Sequence, residues 1–427
     1  MTASAKTAGE EQVVSSVESK LWEVGLKSFQ NGDVATTGIQ KIWAAMGPPA
    51  NLNLVAKITG ALWADTFWKQ TKMDVEHLAM NISSALSLNL KDAQKAAAFA
   101  FSRWSGLLVR GNTGNSGEIP RSGALTASMD VVINGQNALS AQQLIKMWGQ
   151  TRWAPQPGLK NYAYGRAQSS NIGVPVKEGK LMGFYSDAGF NPPPSSWVQM
   201  FTYDGSSSTA PLETMVGKVI DPDSRAATGD SNGFAFEPPG SGHYCLVIVA
   251  QTEFFSNEPL ANGGNWNSWE WLTHNGAAGW HNVNVATEAE NYLKFYNQDD
   301  RPEQFVFEAH CSKLPPGSRV ILRAADDHLD AISNGEIIKN PHQVITAQGR
   351  VPPRYEGHLL VVIETPGGEP LPPYASVEVR QLWELGPGHK HYNGAVHHLG
   401  DLNAHALHEH VQLVMGDYTF TGPGYGQ

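Results

Sequence analysis

The sequence predicts an α+β multidomain chain, an N-terminal helical bundle followed by two immunoglobulin-like antiparallel β-sandwiches. Three observations carry this. At 427 residues the chain is too long for one ordinary core. Apolar residues recur at helical spacing through the first hundred or so positions. From about residue 158 the pattern changes to short apolar or alternating runs separated by Gly, Pro, Asn and Asp, as strands joined by turns require.

The helical region spans residues 1–110. Val13, Val17, Leu21, Val24 and Phe29 share a near-helical spacing, as do Leu54, Ile58, Leu62 and Trp63. Asp92 reads as a helix start before the alanine-rich run 93–101. Breaks at Asn31-Gly32-Asp33 and Gly47-Pro48-Pro49 divide the region into about four helices, enough for a small bundle.

Residues 111–157 read as a linker and connector helix. The run from Gly111 to Gly117 is linker-like in composition. A strand over 129–133 turns at Asn134-Gly135, and Ser140 caps a helix over 141–148. The first sandwich spans 158–287, with strands expected over 162–166, 181–185, 197–203, 234–237, 244–251 and 282–286. The second spans 288–385, with strands over 292–297, 304–310, 319–323, 343–346, 359–364 and 376–382. Leu314-Pro315-Pro316-Gly317 is a tight turn within it. A His-rich tail, 386–427, closes the chain.

Three segments of the first sandwich carry a resemblance. Asn161-Tyr162-Ala163-Tyr164-Gly165-Arg166, Gly242-His243-Tyr244-Cys245-Leu246-Val247 and Trp280-His281-Asn282-Val283-Asn284-Val285 together resemble strands of bacterial immunoglobulin-like modules of the CARDB kind. The resemblance covers residues 158–285. It implies an adhesion or spacer unit of extracellular and surface proteins, without catalysis. Most of that family carries a signal sequence. Here residues 1–11 are small and polar, with no apolar stretch behind a basic start.

Composition narrows the partners. Charged residues are 16% of the chain, against roughly 25% in an average globular protein. The net charge of −10, with basic residues scattered, argues against nucleic acid. The longest aliphatic runs, 246–250 and 359–363, are too short to cross a bilayer. The expectation is a protein made soluble without a signal peptide, and released or surface-associated by a non-classical route. The two cysteines, Cys245 and Cys311, lie in apolar runs and read as buried free thiols, with an interdomain disulfide as the alternative.

Three clusters are candidates for function. Seven of the fifteen histidines fall between 386 and 410. Of these, His389 with His391 and His408 with His410 would share a face if their segments were strands, and two such pairs can build a zinc or copper site. Otherwise the tail packs as a polar loop or senses pH. No cofactor is expected beyond a zinc or copper ion there. Trp266, Trp269, Trp271 and Trp280 sit in a Gly/Asn-rich stretch and are candidate ligand-binding residues, since loop aromatics stack on sugars or contact partners; the alternative is packing between domains. Trp22, Trp43, Trp63, Phe67, Trp68, Phe99, Phe101 and Trp104 mark the helices as a packed core or subunit face, or as membrane-inserting segments.

Catalytic motifs are lacking. No Gly-Lys-Ser/Thr or His-Glu-x-x-His occurs. The leading reading is a non-enzymatic binding or assembly protein, using sandwich loops for recognition and helices for protein contacts. Its partner would be a second copy or a cell-surface target, with carbohydrate as a further ligand class. One rival is a pore-forming or insecticidal-type toxin, the only reading that involves a membrane. The other is a His-rich metal-binding protein.

Overall fold

The computed structural model describes residues 8–68, 75–112, 115–121, 125–126, 128–150, 155–156, 158–187, 192–238, 243–259, 268–284, 290–297, 299–324, 335–372, 375–389, 392, 404–407 and 409–421. It is a mixed helix and antiparallel-sheet structure. Five helices come first: α1 (Ala8–Gln30), α2 (Ala35–Met46), α3 (Leu52–Trp68), α4 (Val75–Leu86) and α5 (Leu90–Phe101). Gly32 (φ 77°) and Gly47 (φ 64°) supply the left-handed backbone that ends α1 and α2. The last helix starts earlier than Asp92. Asn89 is its cap, accepting from the Asp92 backbone N–H at 3.1 Å, so Asp92 falls in the first turn.

Two short helices follow, α6 (Ala141–Lys146) and α7 (Ser268–His274). A reciprocal capping box between Ser140 and Gln143 starts α6.

The strands in chain order begin with β1 (Gly106–Leu108), β2 (Val131–Ile133), β3 (Asn161–Ser170), β4 (Lys180–Asp187), β5 (Val198–Gln199) and β6 (Thr209–Pro211). Next come β7 (Arg225–Ala227), β8 (Phe234–Phe236), β9 (His243–Gln251), β10 (Ala278–Asn284), β11 (Glu290–Tyr296) and β12 (Glu303–Ser312). The last are β13 (Arg319–Ala324), β14 (Glu336–Ile337), β15 (His342–Val351), β16 (Glu356–Glu364), β17 (Ser376–Leu385), β18 (Ala404–Leu407) and β19 (His410–Thr421).

They form four sheets. In the first, β3 is central, with β1 and β7 beside its C-terminal half and β2 and β8 beside its N-terminal half. The second runs β10-β9-β4-β5, with β6 also on β4. The third runs β11-β16-β13-β14, and the fourth β15-β12-β17-β19-β18.

Three of the apolar clusters among the described residues join these layers. One draws Trp22, Ile42, Ile58 and Leu62 of the helices together with Ala163, Leu181, Phe234 and Ile248 of the first two sheets. A Cβ on Gly173 would meet Trp22 at 2.4 Å, so the glycine after β3 is what lets the α1 indole close on the sheets. The next cluster lies between the third and fourth sheets, around Phe295, Phe307, Val320, Val361 and Val379. The last joins the second sheet to the fourth: Phe184, Val247 and Trp280 pack with Val306, Leu382 and Val414. Strand β12 serves both, because Phe305, Phe307 and Ala309 point one way and Val306 the other.

Two departures from the sequence reading concern where strands come from. β1 and β2 belong to the first sheet although they lie in the stretches read as helical and linker. β2 falls within the strand read over 129–133, whereas β1, three residues long, is too short to show a period. In the tail, β18 and β19 complete the fourth sheet, β19 lying between β17 and β18. Val411, Val414, Tyr418 and Phe420 of β19 are buried, and the histidines around them hid that apolar run.

The linker-like glycines are packed too. A Cβ on Gly111 would lie 2.6 Å from an Arg121 guanidinium nitrogen, so the loop's small residues make room for a buried cation. Both cysteines are free and buried.

Candidate functional site

Strand β10 and helix α7 carry Trp280 and Trp271 into the junction between the second and fourth sheets, where they are 2% and 6% exposed. Trp197 lies against both, with ring centroids 5.5 Å from Trp280 and 6.2 Å from Trp271. The Trp280 indole donates to Asn282 Oδ1 at 3.1 Å. Neither ring offers a face to solvent; both hold two pairs of sheets together. Trp266 and the Trp269 side chain lie outside the described residues.

A polar knot sits beside these rings. Asn282 Nδ2 donates to the Asp417 carbonyl at 2.8 Å, and the Thr126 hydroxyl bonds both the carbonyl and the side chain of Asp417. Burial pushes the Asp417 carboxyl up to about 8; Glu378 adds to the rise and Arg380, opposite on β17, offsets part of it. His281, next to Asn282 on β10, is fully buried, and burial lowers its imidazole to about 3, so it is neutral at pH 7.

Of the tail histidines named as metal ligands, His389 and His410 are described. His410 opens β19 and is exposed; His391 and His408 lie outside the described residues. His389 instead follows β17, on the turn made by Gly388 (φ 88°), where it meets acids of an earlier segment. Its Nε2 is 3.1 Å from Glu303 Oε1, and Asp299 completes a group whose ligand atoms all lie within 4.8 Å of one another. Asp299 and Glu303 are each 6% exposed. The Trp383 indole donates to Glu303 Oε2 at 2.9 Å and stands edge-on to the His389 ring.

Sequence reasoning missed both acids. No local spacing connects residue 303 with 389; only the pairing of β12 with β17 brings Glu303 beside the end of β17. Glu303 did carry one signal, a carboxylate in register with the apolar face of Phe305, Phe307 and Ala309.

The outer surface has one further feature. Between β6 and β7 the Thr214 hydroxyl accepts from the backbone N–H groups of Val216 and Gly217 at 3.2 and 3.1 Å, while the Thr214 N–H donates to the Gly217 carbonyl at 2.6 Å. Gln142 of α6 anchors the turn through the Thr214 carbonyl at 3.3 Å. This fixed turn projects three apolar side chains: Met215 (47% exposed), Val216 (93%) and Val219 (49%). Sequence periodicity gave no hint of it, since the strands on either side are short.

No protein-family model matches the chain, and no curated protein matches it significantly.

Proposed function

We propose that the chain is a non-enzymatic assembly protein: a helical bundle on the first of two β-sandwiches, the first akin to CARDB-type modules, with the sandwich loops making contacts between copies. The turn bearing Met215, Val216 and Val219 is the observation that carries this reading. Scattered exposed apolar residues are ordinary, but three within five positions on a hydrogen-bonded, pre-formed turn cost little entropy to bury against a partner.

The way the helices pack supports the same reading over the toxin. A membrane-active bundle must release its apolar side chains, whereas Trp22, Ile42, Ile58 and Leu62 share one core with the sheets beneath. Among the described residues no helix is long and apolar enough to cross a membrane.

Light scattering of the intact chain over a range of concentrations, at neutral and mildly acidic pH, tests the proposal. A defined oligomer is expected. A monomer at every concentration contradicts it. Dye release from liposomes would favour the toxin instead.

A further inference from the structure

We propose that Asp299, Glu303 and His389 form a zinc site in the second pair of sheets, independent of the assembly reading. Three separate elements build it: the β11–β12 connection, the first residue of β12 and the turn after β17. One imidazole nitrogen and two carboxylates are a borderline-to-hard ligand set, which suits Zn²⁺ with three protein ligands and an open fourth position.

The supporting groups are those that a metal centre needs around its ligands. Trp383 holds the second oxygen of Glu303, which leaves Oε1 turned towards His389. Asn297, 2% exposed, donates to the carbonyls of Arg301, Val351 and Pro352 at 2.8, 3.1 and 2.8 Å, and accepts from the Asp299 backbone N–H at 3.0 Å. The loop carrying Asp299 is thereby fixed from within. A further bond from the Arg354 N–H to the Asp299 carbonyl, at 3.0 Å, ties it to the turn before β16.

Two nearly buried carboxylates beside one histidine make a low-dielectric site whose negative charge a divalent cation would compensate. Ligand atoms in a tetrahedral zinc site stand about 3.4 Å apart, so the Glu303–His389 pair already has that spacing and the widest separation closes by about an ångström or slightly more.

The test is titration of EDTA-treated, full-length protein with Zn²⁺ by calorimetry, with Co²⁺ absorption as a spectroscopic second readout. One equivalent per chain is expected, with affinity lowered at least tenfold in Glu303→Gln and His389→Ala, and unchanged in His310→Ala, which breaks a separate His–Glu pair on β12. Should Glu303→Gln fail to fold, Asp299→Asn carries the same expectation. No zinc uptake by the unaltered chain overturns the site. So does uptake that survives in Glu303→Gln or Asp299→Asn but disappears when His391, His397, His398 and His408 are replaced, because the ion then belongs to the tail alone.

Discussion

The two β regions differ in the charged groups they bury. Around the first sheet two guanidiniums are buried, with the carboxylate of Asp130 beside one of them. Arg121, fully buried, donates to the carbonyls of Asn275 and Ala278 at 2.8 and 2.6 Å through Nη1, and to that of Val109 at 2.9 Å through Nη2. Arg166 donates to the carbonyls of Met129, Met147 and Gln150 and pairs with Asp130, which also holds Arg110 at 2.5 Å. Burial lowers both Arg121 and Arg166 to about 10, so each keeps its charge at any ordinary pH. In the third and fourth sheets the buried groups are acids: Asp299, Glu303 and Asp417.

A guanidinium has five donors, and carbonyls at strand ends and turns can take up most of them. A buried carboxylate has only acceptors, and it must find donors, take a proton or bind a cation. The first region is therefore closed around its guanidiniums, while the second holds the Asp417 carboxyl, which burial brings to about 8.

The largest effect should come from breaking the closed side. Replacing Arg121 by Met leaves the carbonyls of Val109, Asn275 and Ala278 without their donor, and should cost about 3–5 kcal/mol in urea denaturation. Trp280→Ala should cost about 3 kcal/mol, the low end for a buried Trp because Trp197 and Trp271 can relax into the gap. The effect should also be uneven: the indole packs between the second and fourth sheets, so its removal should let proteolysis free the C-terminal pair of sheets first.

Asp417 sharpens the contrast through pH. Its folded carboxyl is raised to about 8 from an unfolded value near about 3.9, so the unfolded chain loses this proton first. The stability it contributes is complete below about pH 4 and is lost as pH climbs from there to about 8. Asp417→Asn should accordingly gain about 1–3 kcal/mol at pH 8 and little at pH 4, measured as denaturation midpoints at the two pH values. His281 acts in the opposite direction. Its folded value, lowered to about 3, gives stability that is present above about pH 6.5 and lost as pH falls towards 3.

Much of the β architecture was legible because strands such as β9 and β16 are continuous apolar runs bounded by turn residues. The capped helix α6 was legible for a local reason too, its Ser140–Gln143 box. What stayed hidden depends on partners far along the chain. β1 exists because Gly106, Leu107 and Leu108 find the C-terminal half of β3, and no three-residue run can announce that. The burial of Trp271 and Trp280 depends on a second pair of sheets covering the first. The spacing drew attention to His391 beside His389, whereas nothing in it pointed to Asp299 and Glu303, which the fold brings to that imidazole from far along the chain.

The smallest change in stability should come from the exposed turn, and there the functional effect should be greatest. Val216→Asp alters a side chain that is 93% exposed, so the fold should keep its stability to within about 0.5 kcal/mol. Sedimentation velocity of the unaltered chain, of Val216→Asp and of Val344→Asp, an exposed control on β15, tests the proposed role of the turn most directly. The assembly account predicts that the unaltered chain and the control associate alike while Val216→Asp sediments as a monomer. A Val216→Asp chain that associates as the others do would contradict it, as would an unaltered chain that stays monomeric.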